Sequence, residues 1–378
     1  MLKKLVTLML LVAMVATLTA CGGKNENAAS NSETAAGIPK EKIKIGVIHI
    51  GNPADGAGYT YAHDQGIIAM QQELGLADNQ IIRKNNVNDT DAVAIRTAIE
   101  ECIEEGAHII FGTSWGYMDT MEELAAEHED IIFSHCSGYK SNEKNFNNYF
   151  GRIYQARYLA GIAAGLKTQS NKIGYVAAMG KDNAEVTGGI NAFAMGVESV
   201  NPDAKIYVKV TNTWFDPTLE KQAAEALLDM GCDVIAQHAD TTAPQLAAEE
   251  RGVWGCGYNS DMTKDAPKAH LTAPVWKWGA YYTAAVKSVI EGKWTNENYF
   301  GGMADGLIDI SPLSENCADG TVEAIEAARQ KILEGFKVFE GDIFDNEGNQ
   351  ICKAGEYLTD EEITAKRMNW YYKNVVAE

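Results

Sequence analysis

Residues 42–61 read KIKIGVIHIGNPADGAGYTY, and their pattern decides the fold. Ile43 to Ile50 is β-branched and almost continuously apolar, as a strand buried on both faces should be. Gly, Pro and Asp then break it, and from Tyr61 to Gly75 the residues Ile67, Met70 and Leu74 recur at helical spacing. A second unit follows. Ile81 begins a short strand, and Ile95, Ile99, Cys102 and Ile103 stripe a helix that ends at Gly106. His108–Phe111 and Ile131–His135 read as further strands, separated by a helix over 117–128. This alternation predicts an α/β architecture, a parallel sheet covered on both faces.

The alternation restarts after a helix near 154–167. Ile173–Ala178, Ile206–Val210, Val234–Gln237 and Val253–Cys256 read as strands, with helices near 187–199, 217–230 and 243–251. Asp216-Pro217 is a strong helix start, because Asp can cap the first free N–H groups and Pro at the first helical position gives up none that are needed. Two similar α/β halves are therefore visible. From about residue 336, turn signals at Asp345–Gly348 and Lys353–Gly355 predict a hairpin and a short terminal helix capping one half.

The formal net charge of −20 repels phosphate backbones, which argues against nucleic acid as a partner. Residues 1–20 read as a signal peptide: Lys3 and Lys4 precede an apolar run, Leu5–Ala20, that is too short for a comfortable membrane span. Leu18-Thr19-Ala20-Cys21 resembles the bacterial lipoprotein cleavage box, making Cys21 the candidate lipidated residue. The small, polar stretch 21–41 reads as a tether; a flexible coil of about 20 residues reaches roughly 25 Å. The expected location is the outer face of the cytoplasmic membrane. The other cysteines, 102, 136, 232, 256, 317 and 352, form no CxxC, and no histidine spacing suggests a metal. No cofactor is expected.

Gly112-Thr113-Ser114-Trp115-Gly116 matches G-x-S-x-G after a strand and before a helix, so a Ser114 esterase is one reading, with Asp240 and His270 as downstream partners. The same geometry equally suits a ligand-lining turn, where glycine permits close backbone approach. Gly174–Asp182 has one spacer too many for a phosphate-binding loop and Asp where Ser/Thr should stand.

In open α/β sheets ligands bind beyond the carboxyl ends of the strands. Those ends read NPADGAGYTY (52–61), GTSWGYMD (112–119), HCSGYK (135–140), NTWFDP (212–217), HADTT (238–242) and GYNSDM (257–262). Tyr59, Trp115 and Trp214 each fall there beside Gly, Asp or Asn. Flat aromatics with a few hydrogen-bonding groups suit a planar, uncharged ring.

GTSWGYMD, FGRIYQARYLAG (150–161), NTWFDP and AGEYLTDEE resemble the basic-membrane-protein family of substrate-binding lipoproteins, the branch serving ABC importers of purine nucleosides and related compounds. The resemblance runs from Lys42 to about Val376. It implies a bilobed type I periplasmic-binding fold: two doubly wound parallel-sheet lobes, three hinge crossovers, and a ligand clamped between. The first lobe would comprise 42–151 plus 272–303, the second 152–271 plus 304–378. It also implies a non-enzymatic role, since the family keeps the Ser of GTSWGYMD without hydrolytic chemistry. By the same likeness Tyr59 and Trp214 stack on opposite faces of a purine, Trp115 and Asp119 line the first lobe, and His238, Asp240 and Asp261 line the second. Asp55, Gly58, Asn259 and Trp276 complete the candidate ligand set.

The chain departs from the family pattern at Thr60, where nucleoside binders commonly carry Asn, at Asn259-Ser260-Asp261, where many members have Asp at both ends, and at Trp276, which replaces the family's binding Lys, with Lys277 one step away. Loss of polar groups that would hold a vicinal diol favours a free base such as adenine over a nucleoside. The partners implied are an ABC permease and its ATPase, with the receptor a monomer. Competing readings are a sugar- or autoinducer-binding protein of the same fold and a sensing lipoprotein without transport.

Overall fold

The computed structural model describes residues 37–364 and 367–377. The leader, Cys21 and most of the tether lie outside the described residues. Two six-stranded sheets organise the rest, and every pairing within each is parallel. The first runs, edge to edge, Ile81–Lys84, Ile45–Ile48, Ile109–Gly112, Ile132–Cys136, Phe146–Gly151 and Tyr299–Gly301. The second runs His270–Thr272, Trp254–Cys256, Val234–His238, Lys172–Ala177, Lys205–Val210 and Val375–Ala377. The central strands Ile45–Ile48 and Ile109–Gly112 are buried at every residue, which is why their sequence is continuously apolar rather than alternating.

The chain leaves the first sheet after Gly151, returns after Thr272, and crosses again after Gly301. Pro274–Trp276 and Ile308–Ile310, from the second and third crossings, pair antiparallel as a short ribbon between the sheets. The fold is thus α/β with two parallel-sheet lobes. Both sheets point their strand carboxyl ends into turns rich in Gly, Asp and aromatics.

Helix starts follow the capping residues. Asp216 accepts from the N–H groups of Thr218 and Leu219 ahead of helix Pro217–Asp229, and Asn183 accepts from that of Val186 ahead of helix Ala184–Glu198. The latter helix packs on Tyr154–Lys167 with backbones nearly touching. A Cβ at Gly161 would lie 2.1 Å from the Phe193 carbonyl oxygen, so any side chain there would push the helices apart.

The tail forms the hairpin Ile343–Phe344 with Gln350–Cys352 and the short helix Asp360–Thr364. The chain does not end on that helix: Val375–Ala377 pairs parallel with Lys205–Val210 and becomes the edge of the second sheet. A three-residue strand with one buried valine carries too little periodicity to be read beforehand. The six described cysteines are free thiols, and five of them are buried.

Candidate functional site

Gly58 begins helix Gly58–Leu74 in the left-handed region, at φ +80°. A Cβ there would stand 2.5 Å from the Asp240 carbonyl oxygen, so the first-lobe turn meets the second lobe at a position only glycine can occupy. Tyr59 follows, half-buried. Its hydroxyl donates to Cys136 Sγ at 3.3 Å, and its ring sits edge-on to His63 at 4.4 Å. His63 stacks on Trp278 (4.3 Å) and Trp278 on Trp276 (4.4 Å), so a column of rings rooted in the first-lobe core sets the angle of Tyr59.

On the second lobe, Trp214 is also half-buried, edge-on to His238 at 6.0 Å. Its carbonyl accepts from the Asp240 N–H at 2.9 Å. Glu220, fully buried, ties the same two turns together. Its carboxylate accepts from the Asp216 N–H (3.1 Å), the Thr241 N–H (3.2 Å) and the Thr241 hydroxyl (2.7 Å). Asp240 in turn accepts from Asn259 Nδ2 at 2.8 Å, and burial pushes its carboxyl up to about 8. Asn259 is itself in the left-handed region, φ +66°, with its N–H on the Pro274 carbonyl at the hinge ribbon.

Glu185, on the first turn of helix Ala184–Glu198, stands between these groups. Its Oε1 meets the Tyr258 hydroxyl and His238 Nε2, each at 3.3 Å. Burial pushes this carboxyl up to about 7, against the opposing pull of Arg157. Burial also holds the Tyr59 hydroxyl well above its ordinary range, with Cys136 and then Glu185 adding to the effect. The charge of a second-lobe acid is thus felt by a first-lobe hydroxyl. Arg157 lies 4.0 Å over the Tyr258 ring and donates from Nη1 to the Gln237 carbonyl at 2.5 Å. Its Nε and Nη2, both buried, find no hydrogen-bond partner among the described residues.

Of the residues expected at the site, Gly58, Tyr59, Trp214, His238, Asp240 and Asn259 thus come together. Trp276 is buried behind them, its indole N–H donating to the Tyr258 hydroxyl at 3.2 Å. Trp115 is 58% exposed, at the short turn after strand Ile109–Gly112. Asp119 is exposed and paired with Lys140 at 2.9 Å, and Asp55 is exposed in the turn Pro53–Asp55. Asp261 is exposed and bonded to Thr263. Asn259, Asp261 and Trp276 also line a groove of about 1060 Å³ between helix Gly58–Leu74, the hinge ribbon and helix Thr321–Leu333. The charges in that groove are largely matched: Asp309 receives both Lys277 and Arg329, and Arg329 also meets Glu326.

Sequence reading passed over Arg157, Glu185 and Tyr258. Signals existed for two of them. Arg157 is a charge set among the apolar residues of helix Tyr154–Lys167, and Tyr258 lies in the strand-end turn that also holds Asn259 and Asp261. The Ser114 reading does not assemble. Its hydroxyl donates to Asp89 at 2.7 Å, His135 Nε2 meets its carbonyl rather than its hydroxyl, and His270 packs against Ser311 and Asp261 in the second lobe. Rings from two lobes, beside buried acids held above their ordinary range, are equipped to bind a flat, uncharged molecule.

The model of a family described as ABC transporter substrate-binding protein, PnrA-like (Bmp), matches residues 42–341. The chain is 37% identical over 337 residues to a purine-binding protein of Brucella abortus, covering 89% of this chain and 93% of that one. It is 35% identical over 311 residues to a Haloferax volcanii ABC transporter protein named as glucose-binding, covering 82% and 77%. Among solved structures, solute-binding proteins of ABC systems from Conexibacter woesei and Aeropyrum pernix superpose with TM-scores of 0.65 and 0.66, each at 18% identity. They cover 78% of this chain and 97% and 92% of their own, and carry the type I periplasmic-binding architecture.

Proposed function

Because the chain belongs to the Bmp family of PnrA-like ABC transporter substrate-binding proteins, an extracytoplasmic and non-enzymatic family, we propose that it captures a purine between its lobes, the free base in preference to the nucleoside. A small-molecule ligand and a membrane permease are the partners of such a receptor. The observation that carries the purine reading is the meeting of two ring-bearing turns from opposite lobes, Gly58-Tyr59 against Trp214 and Asp240. Only a closed receptor makes both contacts, so ligand shifts an open–closed equilibrium by its differential affinity. Two stacked rings contribute on the order of 1–3 kcal/mol each, against about 8–10 kcal/mol for micromolar or tighter capture. Hydrogen bonds to the ring edge supply the remainder and set selectivity.

Preference for the base is supported by what the hinge side offers a ribose. The Trp276 N–H is committed to Tyr258, Lys277 to Asp309 at 2.6 Å, and one oxygen of Asp240 to Asn259. A diol is best held by an ionised carboxylate and a free cation. Titration calorimetry of the folded protein is expected to show adenine binding at least about tenfold tighter than adenosine, with no heat from glucose. Adenosine equal to adenine would overturn the base preference, and glucose binding in place of both would overturn the purine assignment.

The receptor is proposed to be held on the outer face of the membrane by lipid on Cys21, because the Leu18–Cys21 stretch has lipoprotein-box character. Cys21→Ser should move the protein from the membrane fraction to the soluble fraction, and the wild-type N-terminal peptide should carry an acyl mass increment. Fractionation unchanged by the substitution would remove the anchor.

A further inference from the structure

We infer that Glu185 contacts the ligand, presenting a hydrogen-bond donor from Oε2 that reads an acceptor nitrogen on the ring edge; this rests on the purine reading above. The placement of protons carries it. The Tyr258 hydroxyl accepts from the Trp276 indole, so its own proton is free to go to Glu185 Oε1 at 3.3 Å. His238 is kept neutral by burial and by the neighbouring charge of Arg157. With its Nδ1 accepting from the Tyr175 hydroxyl at 3.5 Å, its Nε2–H faces the same Oε1, also at 3.3 Å. Oε1 thus receives two donors, and a proton on the neutral carboxyl belongs on Oε2. The side chain keeps 22% of its surface exposed and sits against His238, the imidazole that the Trp214 ring meets edge-on. A donor so placed stands at the same cluster as the Trp214 ring, within reach of a ligand edge.

The charged and titratable groups around Glu185 are few. From its own lobe come Arg157, His238, Tyr175, Tyr258 and Asp240; from the other come Tyr59 and Cys136. Deprotonation of Glu185 turns the donor into an acceptor, so affinity for an acceptor nitrogen falls as pH rises through about 7. Asp240 follows only near 8.

The test is titration calorimetry with adenine on wild type, Glu185→Gln and Glu185→Ala, each first checked by thermal melting. Glu185→Gln keeps an acceptor at Oε1 and a donor beside it, and should bind within about threefold of wild type at pH 6, while Glu185→Ala loses at least about tenfold. Between pH 6 and pH 8 wild type should weaken by about tenfold and Glu185→Gln by about twofold or less. Wild-type affinity that is flat or rises with pH, or Glu185→Ala equal to wild type, overturns the role of Glu185 while leaving the purine reading intact. Failure of wild type to bind adenine or hypoxanthine at any pH overturns both.

Discussion

Trp214→Ala is expected to weaken adenine binding at least tenfold while the protein stays folded. The ring is half-buried, packed against the second-lobe core and edge-on to His238, and its backbone carbonyl holds the Asp240 N–H. Its loss removes a base-stacking platform worth on the order of 1–3 kcal/mol, or about 5- to 150-fold in affinity. The cost to folding should be about 1–2 kcal/mol, the packing lost from a half-buried ring, because no buried hydrogen bond is broken: the Asp240 N–H is held by the Trp214 backbone carbonyl, which alanine retains. Titration calorimetry beside a thermal melt separates the two effects. Unchanged affinity would mean that the second-lobe ring does not touch the ligand, and the two-sided grip proposed here would have to be abandoned.

Glu220→Ala should do the reverse, damaging the fold first. Three donors, the N–H groups of Asp216 and Thr241 and the Thr241 hydroxyl, converge on a carboxylate with no exposed surface. Alanine leaves them unpaired inside the protein at a cost of about 3 kcal/mol, seen as a fall of several degrees in the melting midpoint. The carboxylate joins the helix cap at Asp216 to the turn holding Asp240, so adenine should also restore less of the lost melting temperature than it adds to wild type. A midpoint within a degree of wild type would show that the two turns are held by something else.

The α/β alternation was legible because strands buried on both faces and amphipathic helices leave local signatures, as in IKIGVIHI and the Ile95–Ile103 stripe. Tyr59 and Trp214 were legible for a similar reason: an aromatic beside Gly or Asp at a strand end stands out against a core position. Glu185 was not, since one acid following an Asn cap looks like any first-turn residue completing a helix dipole. Nor was the final strand at Val375–Ala377, whose three residues pair with a partner about 170 positions earlier.

By itself, then, the sequence determined the layered architecture, the restart that makes two lobes, and the turns where a ligand could sit, because those properties are written in near-neighbour spacing. Tertiary structure alone decided which groups meet: Gly58 against Asp240 across the lobes, and Glu185 and Arg157 against Tyr258 within the second. These residues lie far apart in the chain, and their burial, which moves the carboxyl protons, exists only once the two sheets have closed on each other.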